Sequence, residues 1–346
     1  MRIRFWPHTH NTNIASFRIR CTHVSKGLTY SGLDSRIVKE PESADLLILS
    51  KRYDAKSLEK ALRLRSNTGT KIALDICDNH FHNKATNDYV NQRQLQLKEA
   101  LQSVDLVIAS SAYLACELKQ HVPDIRSLAI VDDIIEPPIA PAWHDRCMHP
   151  IAEIQLRMLA HSLNAISSER HHRLVWFGNA GGGLVDGGME NISLVRDQIE
   201  FVARSAPVSL TVISNSHQLF KRTFKNWSIP VFYIPWSRHS ISRALELHGT
   251  SIIPIKRNPF TQSKTANRVT TSLVHGLAVI ADSIPSYQAF AKLIHLDDWQ
   301  NGLRLMTQSK EAWSTHSQLG LNSIQVSQHN QIIIEKWKEA FKMLLG

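Results

Sequence analysis

The sequence predicts an α/β protein built from two doubly wound domains, and three observations support this prediction. The chain of 346 residues is longer than one hydrophobic core usually supports. Short, mostly continuous apolar runs alternate with stretches of helical periodicity, as in parallel sheets that helices cover on both faces. Residues 132–150 contain four prolines and no sustained period, so they are expected to connect two separate halves.

The first half is predicted to form an N-terminal Rossmann-like domain over residues 1–150. Its strands are expected at 2–6, 35–39, 44–50, 70–76, 105–110 and 127–131. Helical periodicity is found at 55–65, 90–101 and 112–121. Strands that alternate with helices in this way favour a parallel sheet.

The second half is predicted to form a C-terminal Rossmann-like domain over residues 151–346. After a helix at 151–166, strands are expected at 174–177, 209–214, 231–234, 251–255 and 278–281. Helices are expected between them at 190–204, 239–248, 264–275 and 286–292. A last helix at about 324–345 closes the chain and is a segment that can pack back on the first domain.

Charge and composition restrict the partners. A formal net charge of +10 indicates an anionic partner, such as nucleic acid, an anionic lipid surface or a phosphorylated substrate. The basic residues are dispersed and no nucleic-acid recognition module is present, so nucleic acid is not expected as a partner. No apolar run approaches the ~18 residues that span a bilayer, and the N-terminus lacks the apolar core of a signal peptide. These features predict a cytoplasmic protein with four reduced cysteines.

Residues 258–287 predict a phosphate-binding unit. Ser263 or Thr265 is suited to cap a helix that Gly276 ends. Lys264 and Arg268 are then expected one turn apart, beside the positive end of the helix. The alternative interpretation is a solvated basic helix in an ordinary βαβ unit.

Polar residues that follow strands are further candidates, because ligands of open α/β sheets bind at the carboxyl ends of the strands. Asp75, Asp78 and His80 follow the fourth predicted strand and are suited to general base catalysis. Alternatively, Asp75 and Asp78 are suited to cap the next helix and pair with arginines. A metal site is a third interpretation, which lacks a matching second cluster.

The segment after the first predicted strand is expected to be a long polar loop that faces substrate, or else an ordinary solvated loop. Its candidate residues are His8, His10, Asn13, Arg18 and Arg20.

A glycine-rich turn follows the strand at 174–177. Its glycines are Gly178, Gly181, Gly182 and Gly183, which let backbone N–H groups approach a phosphate. The turn matches neither the dinucleotide fingerprint nor the P-loop. Its interpretation as a phosphate site therefore depends mainly on its place in the same predicted domain as Lys264 and Arg268.

Several of these segments resemble GT-B glycosyltransferases, in particular the retaining, glycogen-synthase-like superfamily of bacterial cell-surface polysaccharide enzymes. In the second half they are WFGNAGGG (176–183), FYIPWS (232–237), SIIPI (251–255) and SKTANRVTTSLVHGLAVIADSIPSY (263–287). In the first half, DICDNHF (75–81) and VDDIIEPP (131–138) resemble the acceptor domain of that family.

The resemblance implies two Rossmann-like domains that face each other across a cleft, with the nucleotide-sugar donor on the second and the acceptor on the first. The residues it implies for the donor are Gly178, Asn179, Gly181, Gly182, Trp236, Lys264, Asn267, Arg268 and Thr271. It implies acceptor contacts on the stretch from His8 to Arg20. Fixed cations and a helix N-terminus would stabilise the leaving diphosphate without a metal ion, so no metal or cofactor is expected.

The chain departs from the family at two positions. The family usually carries two glutamates eight positions apart, where this chain has Ser263 and Thr271. A hydroxyl can hydrogen-bond a ribose but cannot discriminate through charge. The departure leaves the donor and the stereochemistry of transfer open.

The predicted function is therefore transfer of a sugar to a lipid-linked or polysaccharide acceptor in cell-surface glycan synthesis, such as capsule or lipopolysaccharide. Peripheral contact with the inner face of an anionic membrane is expected, and the oligomeric state is open. The alternatives are a nucleotide-sugar epimerase or a phosphosugar transferase on the same fold, or a non-catalytic protein of glycan assembly.

Overall fold

The computed structural model describes residues 1–84, 87–181 and 187–345. Its contacts divide the chain into two units, Met1–Glu136 with Asn258–Thr265 and Val326–Gly346, and Pro137–Arg257 with Ala266–Gln325. The predicted boundary after residue 150 falls within the second unit, because the preceding residues pack there. Ile139, for example, donates its backbone N–H to the Ser242 hydroxyl at 2.8 Å.

The strands form one parallel sheet in each unit, and this confirms the predicted α/β class. The first sheet has the order β2-β1-β3-β4-β5-β6, and the second has the order β12-β11-β10-β7-β8-β9. The strands are β1 Arg2–Pro7, β2 Asp34–Ile37, β3 Leu46–Ser50, β4 Lys71–Ile76, β5 Leu106–Ala109, β6 Leu128–Ile130, β7 Arg173–Phe177, β8 Ser209–Ser214, β9 Val231–Pro235, β10 Thr250–Ile253, β11 Ala278–Ala281 and β12 His295–Leu296.

Helices connect the strands on both sides of each sheet. They are α1 His23–Tyr30, α2 Ala55–Thr68, α3 Asp88–Ser103, α4 Ala112–His121, α5 Trp143–Met148, α6 Pro150–Ile166, α7 Arg196–Val202, α8 His217–Thr223, α9 Ile241–Glu246, α10 Pro259–Gln262, α11 Asn267–Val274, α12 Trp299–Gln308, α13 Lys310–Ser323 and α14 Val326–Leu345. Irregular helical turns occur at Phe17–Thr22 (π), Arg170–His172, Met189–Val195 and Pro285–Phe290 (3₁₀). No helix in the described ranges combines the length and the hydropathy that crossing a bilayer requires.

The first unit has an apolar layer on each face of its sheet. All five residues of β3 are buried, as the continuous run LLILS predicts. Helix α14 covers one layer, where the rings of Trp337 and Phe5 meet edge to face at 6.0 Å. The grouping of the last helix with the first unit follows from this packing.

Two stretches of the first unit differ from the prediction. The predicted loop after β1 becomes helical at Phe17, because Phe17, Ile19 and Cys21 bury apolar side chains under the sheet. Residues 258–265 lie far along the chain, yet they pack on the first unit. There the Ser111 hydroxyl donates to the carbonyl of Ser263 at 2.8 Å.

The second unit is more elaborate than predicted. The helix expected at 190–204 is a 3₁₀ turn followed by α7, and the helix expected at 286–292 is a 3₁₀ turn begun by Pro285. Strand β12 is only two residues long, too short for a pattern of alternation to show it. The sequence analysis also did not identify α5, α8, α12 or α13.

Candidate functional site

The carboxyl edge of the first sheet gathers polar residues from three strands. Strands β1, β3 and β4 are parallel neighbours, so their carboxyl ends share one edge. The backbone N–H of His8 donates to the carbonyl of Ser50 at 3.0 Å. The N–H of Lys51 donates to the carbonyl of Asp75 at 2.9 Å. These bonds hold the strand ends together and fix the backbone from which the polar side chains of the edge project.

Asp78 lies between two lysines at this edge. Its carboxylate accepts from the ammonium group of Lys51 on one oxygen and from that of Lys264 on the other. Burial opposes ionisation of Asp78, but Lys264 and Lys51 outweigh it and hold the pKa of Asp78 well below its ordinary value. Burial also disfavours the charged form of Lys51, and Asp78 more than compensates, so the pKa of Lys51 is raised. The cluster pairs one carboxylate with two lysines and therefore has an excess of cationic groups.

Lys51 has an unusual backbone conformation. Its φ is 52°, in the left-handed region that residues with a Cβ rarely adopt. Such a conformation persists where the surroundings impose it, and it is found most often at functional sites. Lys51 is not among the residues predicted from the sequence, although it directly follows a predicted strand, as several of the predicted residues do.

Asp75 is buried in an ion pair with Arg20. Nη2 of Arg20 donates to Oδ1 of Asp75 at 2.5 Å, and the Ser50 hydroxyl donates to the other carboxylate oxygen at 2.9 Å. Arg20 also donates to the carbonyl of Val131 and lies 3.3 Å from a carboxylate oxygen of Asp133. Neither Asp75 nor Arg20 has appreciable exposed surface. The structure places both in internal pairing. For Asp75, a pair with an arginine was the second interpretation that the sequence allowed, whereas Arg20 was expected on a loop that faces substrate or solvent.

His80 is buried beside this edge and is neutral. Its Nδ1 lies 2.6 Å from the Tyr53 hydroxyl, which accepts from Nε of Arg93 at 2.7 Å. Burial, with smaller contributions from Lys51 and Arg93, lowers the pKa of His80 to about 3 against the opposing effect of Asp78. The ring is therefore a fixed hydrogen-bonding group and a weak base.

The residues that the sequence assigns to the acceptor differ in environment. His8, His10 and Asn13 are exposed. Arg18 is buried and forms a two-point pair with the Glu136 carboxylate at 2.8 and 2.9 Å. The stretch thus supplies exposed groups only in its first part.

The glycine turn after β7 lies at the carboxyl edge of the second sheet. The Ser214 hydroxyl, at the end of β8, donates to the carbonyl of Gly178 at 2.8 Å. The backbone N–H groups of Ala180 and Gly181 donate to the side-chain oxygens of Asn215 and Asn179 at 2.8 and 2.9 Å. In this structure the two N–H groups therefore bond to one side chain of the turn and one from the loop after β8.

The turn has no room for larger residues at two positions. A Cβ on Gly181 would lie 2.3 Å from the carbonyl oxygen of Gly187, and one on Gly188 would lie 2.4 Å from that of Ala180. Both glycines also have positive φ, at 92° and 104°. Gly182, which the sequence also selects, lies outside the described residues, as does Gly183.

Arg268 lies against this glycine turn. Its Nη1 is 3.8 Å from the place of a Cβ on Gly178, and its guanidinium lies 6.0 Å from the centroid of the Trp176 ring. Its side chain also hydrogen-bonds that of Tyr287, whose pKa is raised by burial against the opposing effect of Arg268. Among the described residues, no carboxylate lies within ion-pair distance of Arg268.

The predicted start of the helix that carries Arg268 is wrong. Helix α11 begins at Asn267, and its N-cap residue Ala266 makes no side-chain capping bond. Ser263 and Thr265 bond elsewhere, to the carbonyl of Pro259 and to the Asp133 carboxylate. Because the chain turns through α10 first, Lys264 precedes the helix and is not on its surface, and the contacts group it with the first unit.

The remaining predicted donor residues lie near the ends of elements of the second unit. Asn267 is the first residue of α11, and Thr271 follows one turn later, partly exposed. Trp236 follows β9, and its backbone N–H donates to the carbonyl of Ser214 at 2.9 Å. Asn179 is exposed in the glycine turn. Within the ranges that the structure describes, no three His, Cys, Asp or Glu side chains group closely enough to hold a metal ion.

Comparison with known proteins identifies the architecture. No protein-family model matches the sequence, and no curated protein sequence gives a significant match. Anabaena HepE, solved with UDP and glucose, is similar to the chain with a TM-score of 0.65 at 9% identity, over 98% of this chain and 100% of that one. WaaG, a glycosyltransferase of lipopolysaccharide biosynthesis, gives 0.61 at 9% identity, over 96% and 99% of the two chains. The chain has the GT-B fold.

A third similar structure is that of TarM from S. aureus, a mutant solved with fondaparinux, α-GlcNAc-glycerol and UDP. The TM-score is 0.57 at 11% identity, over 86% of this chain. The present chain spans only 56% of the length of TarM. At such identities the similarity shows the fold, and the residues described above carry any further argument.

Proposed function

We propose that the protein is a glycosyltransferase that moves a sugar from a nucleoside-diphosphate donor to a lipid-linked or polysaccharide acceptor in cell-surface glycan synthesis. The observation that carries the proposal is the position of Arg268. On a GT-B fold, this arginine lies beside a glycine turn, in the first turn of a helix whose N-cap makes no side-chain bond. That combination favours a phosphate group.

The chemistry of the reaction needs positive charge at this place. A nucleoside diphosphate gains negative charge as it leaves, and fixed cations and helix N-termini stabilise that charge without reorganisation. Arg268 supplies planar donors suited to a phosphate, and Gly178 keeps the space beside it open. We assign the donor to Arg268, the described glycines of the turn, Asn179, Asn267, Thr271 and Trp236, with no metal ion required. Lys264 is assigned to an anionic group of a substrate, which would replace Asp78 as the partner of Lys264.

The first unit supplies the acceptor groups in this proposal. Asp78 is ionised and His80 is held in place, so both are suited to orient an acceptor hydroxyl, while Asp75 and Arg20 act as positioning residues beneath them. His8, His10 and Asn13 are exposed and are assigned to acceptor binding. Arg18 supports that stretch through Glu136.

The similar proteins support the choice of substrates. HepE and TarM were solved with UDP, and WaaG is described as an enzyme of lipopolysaccharide biosynthesis. We therefore propose a nucleotide-sugar as co-substrate, a cell-surface glycan as product, and a cytoplasmic location at the inner face of the membrane.

Thermal unfolding with nucleotides tests the donor site. A nucleotide at 100 times its dissociation constant is expected to add ~2.7 kcal/mol to the free energy of unfolding. Arg268→Ala is expected to weaken UDP binding by about 10- to 100-fold, because one charge-assisted contact is lost. Arg304→Ala, on the exposed face of α12, is the matched control and should bind as the wild type does. The donor assignment fails if no nucleoside diphosphate stabilises the protein, or if both variants bind equally well.

An assay without acceptor distinguishes the reaction classes. Turnover of a nucleotide-sugar without any acceptor would overturn the transferase proposal in favour of an epimerase. Nucleotide binding without turnover under any acceptor condition would favour a non-catalytic role.

A further inference from the structure

Helices α5 and α6 form an apolar surface on the second unit, which we call the α5–α6 surface. Helix α6 buries Leu156, Leu159 and Leu163 in the core on one face. Its opposite face exposes Ile151, Ile154 and Met158, whose spacing of three and four residues places them in one stripe. Helix α5 adds exposed Trp143 and Met148. Helix α6 is therefore apolar on two faces, only one of which has a partner within the unit.

The exposure of these side chains is large. Trp143 is 78% exposed, Ile151 72% and Met158 65%. Single exposed apolar residues need no explanation, but a run of five large ones on two consecutive helices marks an interaction surface.

Ion pairs hold the two helices in place. The Glu153 carboxylate on α6 accepts from Arg146 on α5 at 3.2 Å and from Arg243 on α9 at 2.9 Å. The rings of His149, between α5 and α6, and His239 stack with centroids 3.5 Å apart. Side-chain contacts thus fix both helices of the α5–α6 surface to the second unit.

The same ion pairs determine the charge that the surface presents. Glu153 is engaged by two arginines, and Asp145 lies 3.4 Å from the His144 ring. Helix α6 is described in full, and none of its exposed side chains is acidic, whereas Arg157 and His161 are exposed beside the apolar stripe. The surface therefore combines apolar groups with cationic ones, within a chain whose net charge is +10.

We propose that the α5–α6 surface binds the surface of an anionic lipid bilayer. Tryptophan and aliphatic side chains beside arginine are the composition of helices that lie in a membrane interface, and anionic lipids attract a basic protein. A second copy of the chain is the weaker fit, because a two-fold contact would bring two copies of the same cationic surface against each other. The proposal extends the proposed function and rests on it for the lipid-linked acceptor, which a protein bound to the bilayer would meet there.

Vesicle binding by the full chain tests the proposal. The probes are vesicles of phosphatidylcholine alone and vesicles in which one lipid in four is phosphatidylglycerol. The variant is Trp143→Ser with Ile154→Ser and Met158→Ser. The control is Leu95→Ser, since Leu95 is 67% exposed on α3 of the first unit and matches Met158 in exposure.

The wild type and Leu95→Ser are expected to co-sediment with the anionic vesicles. The triple variant is expected to lose about 100-fold in partition coefficient, since three apolar side chains no longer enter the interface. Arg157→Gln is expected to reduce binding to anionic vesicles about 5-fold, the effect of removing one basic residue near such a surface. Circular dichroism and thermal unfolding confirm that each variant is folded.

Three results would overturn the proposal. One is equal binding of the triple variant and the wild type, and another is no vesicle binding by the wild type. The third is a concentration-dependent dimer in sedimentation velocity that the triple variant abolishes, which would assign the surface to a second copy. UDP binding is measured on the same samples. If the wild type binds vesicles but not UDP, the donor site alone is rejected. If it binds UDP but not vesicles, the α5–α6 surface alone is rejected.

Discussion

The carboxyl edges of the two sheets differ in how their charged side chains are paired. In the first unit, charged groups at the edge have internal partners: Arg20 pairs with Asp75, and Lys51 and Lys264 share Asp78. In the second unit, Arg268 lies against an aromatic ring and a glycine turn, and in the described part of the chain no carboxylate pairs with it. The first edge is therefore held by internal ion pairs, whereas the second leaves the Arg268 guanidinium without a carboxylate partner among the described residues.

The N-terminus of the helix that carries Arg268 differs from those of three helices in the first unit. Asp54, Asn87 and Ser111 cap α2, α3 and α4 through side-chain bonds to backbone N–H groups. In the second unit, Ser216 caps α8 in the same way, whereas Ala266 offers α11 no such bond. A side-chain cap occupies donors that an anion would use. The uncapped N-terminus of α11 is therefore consistent with the phosphate site that we propose there.

The largest expected effect is a difference in the free energy of unfolding between a variant of the first edge and a variant of the second. Asp75→Ala leaves the buried Arg20 with the more distant Asp133 as its only carboxylate partner among the described residues, and we expect the free energy of unfolding to fall by about 3 kcal/mol. Arg268→Ala leaves no buried counter-charge, and we expect a change within ~1 kcal/mol. Urea unfolding followed by circular dichroism measures both.

Glu40→Ala removes the exposed pair with Lys60 and serves as the control, with no measurable change expected. Equal destabilisation by Asp75→Ala and Arg268→Ala would show that the first edge does not depend on its internal pairing.

A second prediction compares one buried histidine from each unit. Burial lowers the pKa values of His80 and His248 to about 3. Each is neutral in the folded protein but binds a proton near pH 6.5 when the chain unfolds, so the stability that each maintains is lost as the pH falls below about 6.5. Each contributes up to ~1.4 kcal/mol per pH unit to that loss.

The measurement is the free energy of unfolding between about pH 6.5 and pH 5, for His80→Gln and His248→Gln beside the wild type. Each variant is expected to show a shallower dependence on pH. Unaltered slopes in both variants would mean that the two histidines are protonated alike in the folded and unfolded chains.

The sequence predicted the architecture well where the physical signal is local. Buried strands such as β3 and β4 are continuous apolar runs, and proline marks the connection between the halves. Residues 258–265 were assigned to the second half because they adjoin it in sequence. Tertiary contacts, such as the bond from Ser111 to Ser263, attach them to the first unit, and no local pattern encodes such a contact.

The candidate site was predicted in part for the same reason. The rule that ligands lie beyond strand ends selected Asp78, His80 and Gly178, which lie at those edges, and the pattern of a basic helix start selected Arg268. The rule also selected Asp75 and Arg20, whose burial as a pair depends on which side chain faces the core. Lys51 was missed because its significance comes from a positive φ and from its partner, and neither is visible in the sequence.

The smallest expected effect concerns Lys264 and would break the contrast between the two edges. If a substrate anion replaces Asp78 as the partner of Lys264, Asp78→Asn removes the competitor, and UDP affinity should rise about 5-fold, or ~1 kcal/mol. Asp132→Asn is the matched control, because it changes the net charge equally and also removes the carboxylate partner of a lysine, Lys336. The UDP affinity of this variant should stay near that of the wild type. Isothermal titration of folded samples with UDP measures both. An affinity that Asp78→Asn leaves unchanged or lowers would mean that Lys264 belongs to the internal pairing of the first edge, and Arg268 would remain as the cation assigned to the donor.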